Sequence, residues 1–263
     1  MFSTPVIHST IGNNSLFFQY RKKNQMVHVC FIISKGIRES MISDNDVMEP
    51  MEKAKFIIRT QCESDYLDAY NTLMRESKKG SAEADYYLGL IYARGQGVDK
   101  DYESARVWFE KGFLAGHPGS AYYLGMIYLK GLCGPKDSVK AKEYFLMAAG
   151  RGDVRAEYEL GMIHFNDDTI PRDLEVSASW MKLAAEHGHI EAQFVLGQYY
   201  KTGAGVERDI PKAVRWLMTA ALNKHQGAQV LLGNMYRTGD GVEQNNAEAD
   251  RWYDMADENN KKW

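Results

Sequence analysis

The stretch Ser81 to Gly116, SAEADYYLGLIYARGQGVDKDYESARVWFEKGFLAG, decides the fold because its pattern occurs five times in the chain. A Leu-Gly pair recurs every 36 residues, at Leu88-Gly89, Leu124-Gly125, Leu160-Gly161, Leu196-Gly197 and Leu232-Gly233. A large aromatic residue recurs at the same interval, at Trp108, Tyr144, Trp180, Trp216 and Trp252. A constant period of this length is typical of stacked-repeat proteins. The sequence therefore predicts five repeats, at 81–116, 117–152, 153–188, 189–224 and 225–260.

Each repeat is predicted to form two helices. In the first helix, Ala84, Leu88 and Tyr92 lie four residues apart and share one face. Gly89 lies inside this helix, where glycine costs about 1 kcal/mol relative to alanine, so we expect a neighbouring helix to pass close to it. The second helix is expected to begin at an N-cap residue, which is Asp101, Asp137, Asp173, Asp209 or Asn245 in the five repeats.

Glycine-rich turns are predicted to end most of the first helices. Gly-x-Gly occurs at 95–97, 203–205 and 239–241, and glycine enters the left-handed conformation freely. The third repeat has no glycine in this turn. We expect Asn166 and Asp167 to adopt the left-handed conformation there, at some energetic cost.

The repeat pattern also resembles a known family. The consensus A-x-x-x-L-G-x-x-Y-x-x-G-x-G-V, followed by D-x-x-x-A-x-x-W, resembles the Sel-one-like repeat, a relative of the tetratricopeptide repeat. The resemblance extends from Ser81 to about Asn260. It implies an all-α fold, a right-handed α-α superhelix (solenoid) that binds other proteins, and it specifies no particular partner.

The two ends of the chain depart from the repeat. Residues 65–80 match the second half of a repeat, so 47–80 is predicted to form divergent capping helices, with Pro50 near the first helix start. Residues 1–46 do not follow the pattern and are expected to be poorly defined or disordered. At the other end the chain stops soon after the fifth repeat. A homodimer through this C-terminal end is one expectation, and an acidic last helix that meets water is the other.

Composition argues against several classes of function. The net charge of −3 and the isoelectric point near 6.2 argue against nucleic-acid binding. No apolar run is long enough for a membrane helix, and no basic segment precedes an apolar core as in a signal peptide. The three cysteines, Cys30, Cys62 and Cys133, are irregularly spaced, which favours a reducing compartment. We therefore predict a cytoplasmic protein.

Catalytic and metal-binding patterns are weak. His117, His189 and His225 occupy one repeat position before the first helix, which indicates a cap or turn rather than a metal site. Asp167 and Asp168 are interpreted as a polar connection. We predict no catalytic, metal or cofactor site and a non-enzymatic protein. The alternative is a hydrolase of the kind claimed for cysteine-rich relatives, but this chain lacks their cysteine pairs.

The candidate binding surface lies on the first helix of each repeat, on the side opposite the face formed by Ala84, Leu88 and Tyr92. In tetratricopeptide-like stacks that side lines the concave surface. The positions predicted there form an apolar ribbon: Tyr86, Leu90, Tyr122, Met126, Leu129, Tyr158, Met162, Phe165 and Phe194. Such a ribbon is suited to a protein or peptide partner, for example an apolar helix.

Two alternatives to this interpretation stay open. The aromatic residues at the Tyr86 position can instead pack on the adjacent repeat, which makes Met126, Leu129, Met162 and Phe165 the better binding candidates. At the level of function, we predict an adaptor, a regulator or an immunity or inhibitor protein. A self-assembling structural protein is the alternative.

Overall fold

The computed structural model describes residues 11–12, 15–16, 49–60 and 65–260. These residues form twelve α-helices and a short antiparallel ribbon, in which β1 (Ile11–Gly12) pairs with β2 (Ser15–Leu16). Apart from this ribbon, the predictions for 1–46 lie outside the described residues. The chain divides into two compact units, Met1–Gly116 and His117–Trp263, and the division falls at the predicted border between repeats one and two.

The first unit contains the divergent pair of helices and repeat one. Its helices are α1 (Pro50–Thr60), α2 (Tyr66–Lys78), α3 (Ala82–Arg94) and α4 (Tyr102–Leu114). Helix α1 packs on α2, and α3 packs on α1, α2 and α4. Polar contacts reinforce this packing, because the buried Gln96 Nε2 donates a hydrogen bond to the Ile58 carbonyl oxygen at 3.2 Å.

The second unit contains the other four repeats. Its helices are α5 (Pro118–Lys130), α6 (Ser138–Ala149), α7 (Val154–Asn166), α8 (Leu174–Glu186), α9 (Ile190–Thr202), α10 (Ile210–Leu222), α11 (Gln226–Thr238) and α12 (Asn246–Asn260). The two helices of each repeat pack together, and α6, α8 and α10 each pack on the first helix of the following repeat. The predicted class, an all-α repeat fold, is confirmed.

The mid-helix glycines lie where a second helix comes close, as predicted. A Cβ atom on Gly125 would lie 2.6 Å from Phe145 Cε1, and one on Gly161 would lie 2.8 Å from Met181 Cε. The packing partner is the residue after the predicted aromatic: Met181 is fully buried, whereas Trp180 is half-buried. The large aromatic that recurs in the sequence is therefore not the residue that contacts the glycine.

The predicted N-caps are confirmed. Asp137 Oδ1 accepts a hydrogen bond from the Lys140 amide at 2.9 Å, and Asn245 Oδ1 accepts one from the Glu248 amide at 3.0 Å. These side chains satisfy amide groups that a helix start otherwise leaves unpaired.

The turn of repeat three closes differently from our expectation. The prediction of a left-handed Asp167 is wrong, because its backbone is extended, with φ −93° and ψ 142°. The carboxylate closes the turn instead, by accepting hydrogen bonds from the amides of Thr169 (2.9 Å) and Ile170 (3.2 Å). In repeat four, Gly203 (φ +80°) and Gly205 (φ +69°) take the left-handed conformation as expected.

Candidate functional site

A surface groove of about 440 Å³ lies between repeats two and three of the second unit. Residues from the end of α5, the turn that follows it, α7 and the end of α7 line this groove: Leu129, Lys136, Tyr158, Glu159, Met162, Ile163, Asn166 and Asp167. We call this feature the repeat 2–3 groove. It is the candidate site because it combines apolar side chains with a few ionisable ones.

Three of the predicted binding residues meet in the repeat 2–3 groove. Leu129 comes from the last turn of α5, and Tyr158 and Met162 come from α7. Tyr158 and Met162 are four residues apart, so the helix brings them to one face. All three side chains are partly exposed, and Tyr158 and Met162 also pack against the buried cluster that contains Leu196. Their inner parts therefore anchor the wall, while their outer parts remain accessible.

The other predicted residues of the second unit do not line the groove. Phe165 packs near Tyr199, with ring centroids 6.0 Å apart, and Arg172 lies over its ring at 5.3 Å. Tyr122 packs on Phe145 with a centroid distance of 5.9 Å. Met126 is half-buried outside the groove.

In the second unit, the aromatic residues equivalent to Tyr86 pack against neighbouring residues. This agrees with the alternative interpretation, in which they stabilise the stack. Tyr158 stacks on His189 with a centroid distance of 4.5 Å, and Phe194 stacks on His225 at 4.3 Å. Both histidines begin the first helix of the next repeat. Tyr158 therefore joins two repeats in addition to lining the groove.

Tyr86 and Leu90 belong to the first unit. Tyr86 is half-buried and packs on Phe109, with ring centroids 6.1 Å apart. The prediction that Leu90 points away from the core is wrong, because its side chain is only 4% exposed. The reason is that α3 packs on three other helices, which covers more of its circumference than a two-helix repeat alone requires.

Glu159 is a site residue that the sequence analysis missed. It is partly buried in the wall of the groove, and this burial raises the pKa of its carboxyl group, while Lys130 opposes the rise. Burial and then the Glu159 carboxylate raise the pKa of Tyr122 to about 12. The sequence contained a signal for this residue, because the equivalent positions in the other repeats of this unit are uncharged: Tyr123, Val195 and Leu231.

Two ionisable residues of the groove are already paired with each other. Lys136 Nζ lies 3.0 Å from Asp167 and 2.5 Å from Asp168. Ser138 Oγ donates to Asp167 at 2.7 Å. Although burial opposes it, hydrogen bonds from Thr169, Ser138 and Lys136 hold the pKa of Asp167 well below its usual range. The interpretation of this acidic pair as a polar connection agrees with the observed contacts.

His117, His189 and His225 all occupy the N-cap position, as predicted, and the last two also cap through their side chains. His189 Nδ1 accepts a hydrogen bond from the Ala192 amide at 3.2 Å, and His225 Nδ1 accepts one from the Ala228 amide at 3.0 Å. In the parts of the chain that the structure describes, no three His, Cys, Asp or Glu side chains converge so as to hold a metal ion. The described helices also include none with the length and apolar character needed to cross a bilayer.

The fold and the groove define an all-α repeat scaffold. The sequence profile of the Sel1 repeat matches residues 82–117, 118–153, 154–189, 190–225 and 227–259, which is most of the chain. The chain therefore belongs to the Sel1 repeat family, whose members are commonly protein-interaction scaffolds and generally are not enzymes. Comparison with curated protein sequences gives no match to this chain.

Several solved structures are similar. A Sel1 repeat protein from Oxalobacter formigenes is 26% identical, with a TM-score of 0.71 over 80% of this chain and 85% of that one. The protective antigen c5321 of uropathogenic Escherichia coli, which displays an SLR fold, is 27% identical with a TM-score of 0.71. That match covers 81% of this chain and 49% of the antigen, so the chain spans about half of the antigen's length.

A more distant similarity is to the immunity protein PA5088 from Pseudomonas aeruginosa. It is 18% identical, with a TM-score of 0.56 over 82% of this chain and 84% of that protein. At this identity the similarity concerns the fold alone.

Proposed function

We propose that this chain is a non-enzymatic interaction scaffold that holds an apolar segment of a partner protein in the repeat 2–3 groove. One observation carries this proposal: a groove of about 440 Å³ is lined by three apolar or aromatic side chains, Leu129, Tyr158 and Met162. Aliphatic, methionine and aromatic side chains are suited to an apolar helix or an extended peptide.

The packing of the groove wall supports this proposal. Tyr158 is held by its stacking on His189, and Met162 is held by the cluster beneath it. A wall that is already ordered loses little conformational freedom when a ligand binds, so more of the contact energy appears as affinity.

The partner class and cellular role are further parts of the proposal. Adaptor, regulator and immunity or inhibitor roles all require a groove that binds protein, and the similarity to an immunity protein does not select among them. Cytoplasmic location and a homodimer through the C-terminal end stay predictions. Light scattering over a dilution series tests the homodimer.

A selection with short random linear peptides displayed on phage tests the groove directly. The full chain is compared with a Leu129→Glu variant, and Met147→Glu, on the second helix of repeat two, is the matched control. Met147 lies on α6, is 40% exposed and is outside the groove. We expect apolar peptides to be enriched on the wild type and on Met147→Glu, and to be lost on Leu129→Glu.

Circular dichroism of all three proteins shows whether each remains folded. Enrichment of the same peptides on folded Leu129→Glu as on the wild type would contradict the proposal, since a charge in the groove wall would then have no effect on binding.

A further inference from the structure

Glu159 breaks a pattern that the chain follows in its other repeats. The corresponding residues of repeats four and five are Val195 and Leu231, and both pack against buried clusters. In the first unit the corresponding Tyr87 is buried. A carboxylate at this position is therefore costly to the fold, and local departures of this kind are expected at functional sites.

The carboxylate of Glu159 makes no direct polar contact with another residue that the structure describes. No hydrogen bond, and no ion pair within 4 Å, joins it to another described side chain. The other charged groups of the groove, Lys136 and Asp167, are paired with each other at 3.0 Å. Lys130 acts on Glu159 only at longer range and does not line the groove, so the repeat 2–3 groove contains a carboxylate with no cation in direct contact.

We infer that the repeat 2–3 groove accepts a lysine or arginine side chain of the bound segment, with its charged head on Glu159 and its aliphatic stem on Leu129 and Met162. This inference rests on the proposed function and specifies the chemistry of the partner. A long cationic side chain fits both features of the groove, since its methylene groups bind apolar surface while its head carries the charge. A purely apolar segment would leave the carboxylate covered and unpaired, which is costly.

The nearby aromatic residues favour this occupant. Tyr158 offers Glu159 no compensating charge, because a phenol is neutral at physiological pH. Burial, followed by the carboxylates of Glu191 and Glu159, raises its pKa further, to about 12. A neutral ring next to a carboxylate leaves the negative charge available to an incoming cation. Arg155 does not fill this role, because its guanidinium lies 4.1 Å from the Tyr122 ring centroid and pairs with Asp153 at 2.6 Å.

The phage selection described above also tests the cationic subsite when it is repeated with a Glu159→Gln variant. We expect wild-type selections to combine apolar residues with a lysine or arginine, and Glu159→Gln selections to keep the apolar residues but lose the cation. Glu143→Gln, an exposed carboxylate on α6, is the matched control and should behave as the wild type does.

A second measurement leaves the protein unchanged. The best wild-type peptide is synthesised with its lysine or arginine and again with norleucine, which keeps the aliphatic stem without the charge. We expect the norleucine peptide to bind the wild type roughly tenfold or more weakly, in line with the loss of a charge-assisted hydrogen bond. On Glu159→Gln the two peptides should differ by less than that.

The outcomes separate the two proposals. Apolar enrichment without a cation, or equal binding of both peptides to the wild type, would overturn the cationic subsite and leave the groove standing. If the wild type enriched no peptides beyond those of Leu129→Glu, the groove itself would be refuted, and the subsite with it.

Discussion

Repeats two and three use the same helical frame as repeats four and five but present a different surface. The core positions agree, as in Leu160 of repeat three and Leu196 of repeat four, which are both fully buried. The groove positions differ: Met162 is replaced by Gln198 and Asn234, and Glu159 by Val195 and Leu231. Within one chain, the fold is therefore set by positions that repeat, and the binding surface by positions that vary.

Repeats three and four also differ in how they close the turn after their first helix. Repeat four ends its first helix with glycines in the left-handed conformation, whereas repeat three uses the Asp167 carboxylate and its contacts with Lys136 and Ser138. The second solution places charged and polar groups beside the repeat 2–3 groove. The variation that builds the groove thus extends from the helix face into the adjoining turn.

The largest expected effect concerns the shared core. Gly125→Ala should lower the free energy of unfolding by about 2 to 3 kcal/mol, because the new Cβ would lie 2.6 Å from the rigid Phe145 ring. Gly161→Ala is the matched test in repeat three, where the nearest atom is the flexible end of Met181. The second variant should lose less than about 1 kcal/mol, since the ~1 kcal/mol gain in helix propensity offsets the strain.

Urea denaturation of the two glycine variants checks this prediction. Equal losses in both would contradict the assignment of Phe145 and Met181 as the packing partners of these glycines.

The next effect concerns the turn of repeat three. Asp167→Ala should lower the free energy of unfolding by about 1 to 2 kcal/mol at pH 7, because the Ile170 amide and the Ser138 hydroxyl, both on buried residues, lose their acceptor. The folded-state pKa of Asp167 is depressed, so its stabilising effect is present above the ordinary value of about 4 and is lost as pH falls through the folded-state value.

Asp168→Ala is the control for the turn, because the Asp168 side chain is 78% exposed and its ion pair with Lys136 is open to water. Denaturation curves at pH 7 and pH 3 should show the full loss for Asp167→Ala at pH 7 and a smaller one at pH 3, where the lowered folded-state pKa still preserves part of the effect. A comparable loss for Asp168→Ala would show that the ion pair, rather than the buried hydrogen bonds, closes the turn.

Exchanging the residues at one position between repeats three and four should change the free energy of unfolding in opposite directions. Glu159→Val should raise the free energy of unfolding by about 1 kcal/mol at neutral pH, and Val195→Glu should lower it by at least as much. The folded-state pKa of Glu159 is raised, so its destabilising effect is absent below the ordinary value and complete above the folded-state value.

Thermal unfolding of the exchange variants between pH 4 and pH 7 measures that dependence. The gain from Glu159→Val should increase as pH rises. A loss of stability in Glu159→Val at neutral pH would mean that the carboxylate supports the fold, and would remove the argument that it serves binding.

The smallest effect concerns the histidine that caps α9. Burial lowers the pKa of His189, which keeps the ring neutral and able to accept the Ala192 amide hydrogen bond. His189→Ala should cost about 0.5 to 1 kcal/mol at pH 7.5. This contribution should disappear as pH falls from the ordinary value of about 6.5 through the folded-state value.

Urea denaturation at pH 7.5 and pH 5 measures the His189 effect. His189→Asn keeps a capping acceptor and should recover most of the loss. If alanine and asparagine were equivalent, the contribution of His189 would come from its stacking on Tyr158 rather than from the cap.

Much of the fold could be predicted from the sequence because its determinants repeat. Leu88, Gly89 and Asp101 recur at one interval, and each has a simple physical role in burial, close approach or capping. Leu90 was misjudged because a helical wheel considers one helix, whereas α3 packs on three others. Asp167 was misjudged because aspartate can close a turn in two ways, and here its carboxylate accepts from the amides that follow while its backbone stays extended.

The groove was only partly predictable. Their positions on one helix face were enough to predict Leu129, Tyr158 and Met162 as surface residues. That they line one groove depends on how neighbouring repeats pack. Glu159 was overlooked because a single glutamate is usually an exposed charge, and only comparison with Val195 and Leu231 identifies it as unusual. The sequence held that information, but reading it required knowing that the position is partly or fully buried in other repeats.

Hydrogen exchange of the full chain, with and without the best phage-selected peptide, shows where on the chain a partner binds. We expect slower exchange in α5 and α7, which line the repeat 2–3 groove, and little change in the equivalent helices α9 and α11. Equal protection of α9 and α11, or protection confined to α6, would contradict the proposed function, because the variable groove positions would then not decide where the partner binds.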